Sequence, residues 1–301
     1  MKFVFITDPH LSSVSPSSRL DNFVETSFAK VEEVLQVCVQ LGANLLMGGD
    51  LFATPTQPDF IKNRLKELLL QYGITMIGIP GNHDLLYYST DYLDKTSYKA
   101  LVSPQVAIDL NAFPEGIMVG GVKIVPHIFG EPFPVVEEPN SIILSHCFYA
   151  QGTEEKLSVT KQDVYKSGAK FVCFGHDHNQ YPIADIGGTF VVRPGALTRG
   201  TSHTENRVRV PSYAVIDTNK GVVEYRHLSN VLDFKEAFRE KYDVERERTP
   251  VTFDDIQRFI DEFRNAKSET NPYDILLSMK KPENIVKRSV EFMEKVGLIK
   301  Q

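Results

Sequence analysis

The stretch ITMIGIPGNHD, residues 74–84, joins a short β-rich run to a group of chemically active side chains. Residues 74–79 are predicted to form a strand, and the tetrad Gly81-Asn82-His83-Asp84 follows directly after it. The tetrad supplies an amide oxygen and an imidazole as ligands, and a carboxylate that can hold the second nitrogen of the imidazole. The stretch therefore predicts a strand of a layered fold whose end carries a metal-binding or catalytic group.

Four more polar groups stand directly after predicted strands. They are Asp8 and His10 after residues 2–7, Gly48-Gly49-Asp50 after residues 45–47, Ser145-His146 after residues 141–144, and Gly175-His176-Asp177-His178 after residues 170–174. Because the functional groups of layered α/β folds gather at the carboxyl ends of strands, we expect all five groups at one edge. Together they supply ligands for two adjacent cations. Asp50 is the natural bridge, since a carboxylate can bind two cations and a neutral imidazole cannot.

The first three quarters of the chain alternate β-rich runs with helical patterns, which predicts an α/β layered domain. Residues 20–41 place apolar side chains at helical spacing, so this helix is expected to bury one face and to expose Glu25, Lys30 and Glu32. Residues 61–72 predict a second helix. Two strands at 213–217 and 222–227 are expected to form a hairpin that closes the domain, residues 1–228.

Residues 229–301 are predicted to be a charged linker and a short helical appendage at the C-terminus. Residues 233–248 are dense in both charge signs, which suits a solvated helix or linker. Thr252 with Asp255 predicts the start of one helix, and Pro282 predicts the start of another. Their apolar stripes are consistent with packing on the parent domain and with docking a partner, and the sequence leaves both alternatives open.

Charge and composition limit the classes of protein that fit this chain. A net charge of -6 does not suggest a protein that holds nucleic acid by general electrostatics. The sequence lacks an apolar run of about eighteen residues, so no membrane span is expected, and we expect a cytoplasmic protein. The three cysteines, Cys38, Cys147 and Cys173, fall inside apolar patterns and are expected to be buried, reduced thiols.

The ordered motifs D-x-H, G-D, G-N-H-D, H and G-H-x-H between Asp8 and His178 resemble those of the calcineurin-like metallophosphoesterase family. The resemblance implies a fold of two β-sheets flanked by helices. It implies a first metal held by Asp8, His10, Asp50 and His178, and a second held by Asp50, Asn82, His146 and His176. His83 would not be a ligand; it would stabilise or protonate the leaving oxygen, with Asp84 fixing its tautomer. Two such cations clamp phosphoryl oxygens and activate water, and the mixed ligands suit Mn²⁺, with Fe or Zn²⁺ as alternatives.

Finer features resemble the SbcD-type nuclease subunits of DNA double-strand-break repair complexes. These features are the runs at residues 6–11, 49–52 and 193–199. The resemblance implies a DNA exonuclease or endonuclease that works with an SMC-like coiled-coil ATPase of the SbcC type, and it leaves a homodimer open. Arg193 and Arg199, in a locally basic loop, are expected to bind substrate phosphates, although arginines that solvate an ordinary hairpin are the alternative.

Two departures from that pattern, and one open question, concern the substrate. Ala53 stands where many relatives have a histidine, and the region after Leu228 is too short for a full DNA-capping domain. Tyr87, Tyr88 and Tyr92 are expected either to stack on bases or to form a packed aromatic surface. A phosphodiesterase or phosphatase for small nucleotides or phosphoproteins on the same fold is therefore the alternative function.

Overall fold

Two six-stranded β-sheets, with helices on their outer faces, build the part of the protein that the computed structural model describes, residues 1–128, 130–150, 158–202 and 204–239. The mixed α/β architecture confirms the predicted layered fold. Among the described residues, no helix is both long and apolar enough to traverse a lipid bilayer.

The first sheet contains most of the strands predicted from the beginning of the chain. Its strands are β1 (Lys2–Ile6), β2 (Asn44–Met47), β3 (Met76–Gly78), β4 (Ala107–Asp109), β13 (Ser212–Asp217) and β14 (Val222–His227). They lie in the order β14-β13-β1-β2-β3-β4. Strands β1 to β4 are parallel, whereas β13 pairs antiparallel with β1 and forms the predicted hairpin with β14.

The second sheet faces the first. Its strands are β5 (Ile117–Val119), β6 (Val122–His127), β7 (Ser141–His146), β10 (Phe171–Gly175), β11 (Ala184–Ile186) and β12 (Thr189–Val192), in the order β11-β12-β10-β7-β6-β5. Strands β6, β7, β10 and β12 are parallel. Two short strands, β8 (Tyr149–Ala150) and β9 (Val159–Thr160), pair with each other beside this sheet.

The helices connect the strands. They are α1 (Phe23–Leu41), α2 (Asp59–Tyr72), α3 (Lys161–Lys166), α4 (Thr204–Val208) and α5 (Phe234–Ala237), with 3₁₀ turns at Asn82–Asp84, Leu86–Tyr88, Thr90–Lys95, Lys99–Leu101 and Leu110–Ala112. Helix α1 begins at Asn22, whose side chain accepts a hydrogen bond from the backbone N–H of Glu25. It ends at Gly42, which adopts the left-handed conformation that terminates many helices.

Alternate residues of β1 face two different cores, because successive side chains of a strand point to opposite faces. Phe3 and Phe5 are fully buried between the two sheets. Val4 and Ile6 pack on the other side against the apolar face of α1. Burial on both faces explains why this strand is a continuous apolar run. The three cysteines are buried and free, as predicted.

Two details of the outer layer differ from the sequence-based expectations. Lys30 was predicted on the exposed face of α1, but only 5% of it is exposed, and its ammonium group donates a hydrogen bond to the carbonyl of Thr26. Past Leu228, Ala237 and Phe238 are buried, so part of the charged segment packs on the main unit, Met1–Asp243. The helices predicted after Thr252 lie outside the described residues, and the division of the chain at Leu228 stays a prediction.

Candidate metal centre

The five polar groups predicted at strand ends meet between the two sheets. Strands β1, β2 and β3 of the first sheet lead into Asp8, Asp50 and Asn82, while β7 ends at His146 and β10 leads into His176. Hydrogen bonds join these ends across the sheets. Nδ1 of His146 lies 2.7 Å from the carbonyl of Gly48, and the backbone N–H of His176 donates to Oδ2 of Asp8 at 3.1 Å. The sheet edges are therefore held together at the predicted ligands.

The first group of ligand atoms comes from Asp8, His10 and His178. Nε2 of His10 lies 3.0 Å from Nε2 of His178. Oδ1 of Asp8 lies 3.8 Å from Nε2 of His10 and 3.5 Å from Nε2 of His178. Two imidazole nitrogens and a carboxylate oxygen that point at one another in this way are the donor set of a transition-metal site.

The second group comes from Asp50, His146 and His176, with the amide of Asn82 among them. Oδ1 of Asn82 lies 3.2 Å from Nε2 of His146 and 2.9 Å from Nδ1 of His176. Because Nδ1 of His146 faces the Gly48 carbonyl, its Nε2 is the nitrogen that faces the ligand group.

Asp50 lies between the two groups, as a bridging ligand would. Its Oδ2 is 3.7 Å from Nε2 of His10 and 3.3 Å from Nε2 of His146. Its Oδ1 accepts a hydrogen bond of 2.8 Å from the backbone N–H of His83. One oxygen of this carboxylate therefore faces both ligand groups, while the other fixes its orientation.

Two observations show that these residues fit a pair of cations. Oδ1 of Asp8 is fully buried and has no hydrogen-bond partner within the described residues, which is costly unless a cation satisfies it. The site is also closed in by glycines. A Cβ atom at Gly81 would collide with Asp50 and lie 2.7 Å from Nε2 of His146, and one at Gly49 would collide with the His146 ring. Only glycine lets the backbone approach the ligands this closely.

The protonation of the ligands is governed by burial and by their mutual charges. Burial lowers the pKa of His10 to about 4, so its imidazole is neutral and able to bind a metal. Burial alone would raise the pKa of Asp8, but His178 and the other imidazoles hold it below the usual carboxyl range. Burial also opposes the charge on His146, yet the Asp50 carboxylate raises its pKa to about 9. A cation bound to the second group would replace that proton, because metal ligation requires neutral imidazole.

Four of the predicted ligands have strained backbone conformations. Asp8, His10, Asp50 and His176 have φ angles of 52°, 45°, 51° and 81°. Each lies in the left-handed region, which costs side-chain-bearing residues of order 1–3 kcal/mol. Since the strain falls on ligands at the ends of strands, the fold holds these side chains in place at the expense of local stability.

His83 lies at the rim of the metal centre. Its ring meets the ring of His10 edge to face, with centroids 4.9 Å apart. Its Nδ1 lies 3.1 Å from the carbonyl oxygen of Ala53. If Nδ1–H donates to that carbonyl, Nε2 is the nitrogen left for a proton transfer. Ala53 thus contributes a backbone group that the side-chain pattern could not reveal.

The predicted contact between Asp84 and His83 is wrong. The Asp84 carboxylate is fully buried and accepts hydrogen bonds from the backbone N–H groups of Leu51, Phe52 and Gly81 at 3.0, 2.9 and 2.9 Å. It turns away from its neighbour because it closes the 3₁₀ turn that begins at Gly81. Burial, with the nearby charge of Asp50, raises the pKa of Asp84 to about 7. Asp84 therefore clamps the loops that carry Asp50 and His83.

The contacts of Arg199 do not support its predicted role in binding phosphates, which stays a prediction. Arg199 is 6% exposed, and its guanidinium donates hydrogen bonds to the backbone carbonyls of Asn206 and Leu232. It does not solvate a hairpin, because it closes the loop onto the C-terminal segment. Arg193 is equally buried, with its guanidinium 3.9 Å from the ring centroid of Tyr181. Its contact with substrate stays a prediction.

A pocket of about 400 Å³ opens beside the second ligand group. Asn82, His146 and His176 form one wall, and the rest of the lining is mainly apolar and includes Phe148. The sequence reasoning missed this pocket. Phe148 stands two residues after His146, in the short connection between β7 and β8, and that position was the available signal.

The sequence model of the calcineurin-like phosphoesterase family matches residues 1–180. No curated protein matches the sequence significantly. Similar solved structures include an archaeal phosphodiesterase (14% identity, 76% of this chain and 100% of that chain, TM-score 0.39). Others are a protein from Thermus thermophilus (15% identity, 75% and 98%, TM-score 0.45) and a dimetal phosphatase from Danio rerio (10%, 71% and 91%, TM-score 0.46).

The family match is the informative comparison, because it covers more than half of the chain and includes every predicted ligand from Asp8 to His178. The chain belongs to the calcineurin-like phosphoesterase family and is a metal-dependent phosphoester hydrolase.

Proposed function

We propose that the protein is a two-metal phosphodiesterase that cleaves DNA. The observation that carries the diester part of this proposal is the pocket beside the second ligand group. A phosphate at the metal centre would have an apolar cavity next to it, which accommodates an organic group on the phosphate. A phosphomonoester of a protein side chain has no need of such a cavity.

The DNA part of the proposal is supported by the resemblance to SbcD-type subunits at residues 6–11 and 49–52. The supporting surface is aromatic rather than basic, because Arg199 is buried. Tyr87 and Tyr88, just beyond the tetrad, are 82% and 73% exposed, and the ring of Tyr87 lies edge to face with the ring of Tyr92, with centroids 5.5 Å apart. Exposed aromatic rings near a hydrolytic centre can stack on the bases of single-stranded nucleic acid.

The residues of this chain have separate roles in the proposed reaction. Asp8, His10 and His178 would hold one cation, and Asn82, His146 and His176 the other, with Asp50 shared by both. When bound, the cations supply charge that stabilises the transferring phosphoryl group and activates water. His83, oriented through Ala53, donates a proton from Nε2 to the leaving oxygen. Asp84 positions both catalytic loops through three backbone hydrogen bonds.

Activity assays with the full-length chain test the proposal. With Mn²⁺, the metal we propose on the basis of the mixed oxygen and nitrogen ligands, the protein should cleave linear single-stranded or duplex DNA, and EDTA should abolish cleavage. His83→Ala should retain both metals but lose at least about a hundred-fold in kcat. His227→Ala, at an exposed histidine on the edge strand β14, is the matched control and should keep full activity.

The outcomes distinguish the proposed DNA phosphodiesterase from its alternatives. Turnover of bis(p-nitrophenyl) phosphate without cleavage of DNA would indicate the alternative, a phosphodiesterase for small nucleotides. Turnover of p-nitrophenyl phosphate alone would indicate a phosphatase. The absence of bound metal after loading with Mn²⁺ would contradict all three of these functions, because each depends on bound metal.

We also propose that an SMC-like coiled-coil ATPase is the partner of this chain, as the SbcD resemblance implies. The helices predicted after Thr252, which lie outside the described residues, are the candidate docking segment. Copurification with such an ATPase should depend on residues 244–301, and a homodimer should show in the mass of the isolated chain. Copurification that is unaffected by deletion of residues 244–301 would contradict this docking segment.

A further inference from the structure

The pocket beside the second ligand group has the features of a binding site for a flat organic ring. Its apolar walls include Pro80, Leu85, Tyr88, Cys147 and Phe148. Its volume of about 400 Å³ falls in the range of sites that enclose small molecules. The pocket shares Asn82, His146 and His176 with the metal centre, so it lies within reach of an organic group carried by a phosphate bound there.

Phe148 supplies an aromatic surface next to the reacting centre. Its ring lies edge to face with the ring of His176, with centroids 4.3 Å apart, and about half of the residue, 48%, is exposed. An apolar ring held against a metal ligand, yet open to the pocket, is available for stacking. Tyr88, 73% exposed and held at a φ of 55°, adds a second ring at the pocket wall.

Asn111 is the second, independent sign of a ligand. It lines the pocket, and its amide oxygen is buried without a hydrogen-bond partner within the described residues. Leaving a buried amide oxygen without a hydrogen-bond partner is unfavourable. A lipid tail or an aliphatic side chain in the pocket would leave this amide unpaired. A heterocycle with polar edges would stack on Phe148 and would place a polar edge beside Asn111.

We propose that this pocket binds the nucleobase of the nucleotide whose phosphodiester is cleaved. The inference rests on the proposed function and names its substrate more closely. A base inside the pocket cannot be paired with a complementary strand, so the enzyme acts on single-stranded DNA or on frayed ends. Base identity matters little for stacking, since every base has an aromatic face.

Cleavage of oligonucleotides that lack one base tests the proposal directly. A single-stranded oligonucleotide with one tetrahydrofuran abasic residue is incubated with the Mn²⁺-loaded protein, and the cut at each linkage is quantified on a sequencing gel. Cleavage at one linkage beside the abasic residue should fall about ten-fold or more relative to the intact oligonucleotide. The affected linkage also shows which side of the phosphate enters the pocket.

Base binding is measured separately from catalysis. The Mn²⁺-loaded His83→Ala protein is titrated into a single-stranded oligonucleotide that contains 2-aminopurine, whose emission rises when the base leaves its stack. The chain has no tryptophan, so protein emission interferes little. Adding Phe148→Ala should weaken this binding about ten-fold and Asn111→Ala should weaken it several-fold. Phe60→Ala, at a phenylalanine on α2 that is 60% exposed, is the control and should leave it unchanged.

The results distinguish failure of the base pocket from failure of the proposed DNA phosphodiesterase function. Equal cleavage at intact and abasic nucleotides, or equal binding by the Phe148→Ala and Phe60→Ala proteins, would overturn the base pocket and leave the DNA phosphodiesterase standing. If no oligonucleotide is cleaved at all, the proposed function fails, and the base pocket fails with it.

Discussion

Replacing Gly81 by alanine should destroy the metal centre through steric collisions and not through backbone strain at residue 81 itself. Gly81 has a φ of -98°, which alanine adopts without strain. Its added Cβ would lie 2.7 Å from Nε2 of His146 and would collide with both Oδ1 and the backbone nitrogen of Asp50. Real Cβ contacts shorter than 3.0 Å are essentially never seen, so even the mildest of these contacts requires a shift of about 0.3 Å.

A shift of this size exceeds what a metal site tolerates, since ligand distances are kept within about 0.2 Å. Misplaced catalytic groups cost about a hundred-fold in rate. We therefore expect Gly81→Ala to lower kcat/KM for bis(p-nitrophenyl) phosphate by at least about a hundred-fold and to weaken Mn²⁺ binding, measured by elemental analysis after dialysis. Overpacking should lower stability by about 1–3 kcal/mol.

Gly42→Ala is the control, because its expected effect comes from backbone strain and not from a steric collision. Gly42 has a φ of +58° and no atom within 4 Å of its added Cβ, so alanine there strains the backbone but meets no neighbour. It should lose about 1 kcal/mol of stability and keep full activity and metal content. A Gly81→Ala protein with two bound Mn²⁺ ions and near-normal kcat/KM would refute the assignment of Asp50 and His146 as ligands.

Three further predictions follow from buried polar groups. Asp84→Asn should lower both the melting temperature and kcat/KM, because its amide leaves at least one of three backbone donors unpaired, at about 1–3 kcal/mol; a loss of activity alone would instead favour direct contact with His83. Burial, with Arg19 and Arg199 nearby, lowers the pKa of Lys30 to about 8, while the unfolded chain keeps the proton to about 10.5. The folded state is therefore stabilised as pH rises from 8 to 10.5, and Lys30→Met, followed by urea unfolding, should be about 2–3 kcal/mol more stable than wild type at pH 7 with the difference gone near pH 10.5; a constant difference would contradict the assignment. Arg199→Met should lower stability by more than about 1 kcal/mol and leave the KM for DNA unchanged, and a raised KM with unchanged stability would restore its predicted phosphate contact.

The strands and the set of candidate ligands were predictable because each is determined by a short segment of the sequence. A buried parallel strand is a continuous apolar run, and the polar residues at its end are confined to one edge of the sheet. Asp8, Asp50, Asn82, His146 and His176 could therefore be grouped before any coordinates were known. Their conformations could not, since the left-handed backbone of three of them is imposed by contacts across the sheets.

The buried charged residues that bond to backbone groups were not predictable in the same way. Lys30, Asp84 and Arg199 are charged, and charge in a sequence indicates a surface or a ligand. In the structure each is buried and bonded to backbone groups. Lys30 bonds to Thr26, Asp84 bonds to the two catalytic loops, and Arg199 bonds to the C-terminal segment. Such partners carry no side-chain signature, because every residue offers a carbonyl and every residue except proline an N–H.

Backbone hydrogen bonds of this kind hold the ligand loops of the metal centre in place. If their loops were free to move, strained ligands such as Asp50 would relax to a more favourable backbone conformation. Their side chains would then leave the positions that the metal centre requires. The Asp84 carboxylate prevents this by tying Leu51 and Phe52, which follow Asp50, to Gly81, which precedes the other ligand loop. His83 completes the link through its own backbone N–H to Asp50. The catalytic histidine and the bridging carboxylate are therefore positioned by one set of backbone hydrogen bonds, so a change that loosens either loop should affect metal binding and proton transfer together.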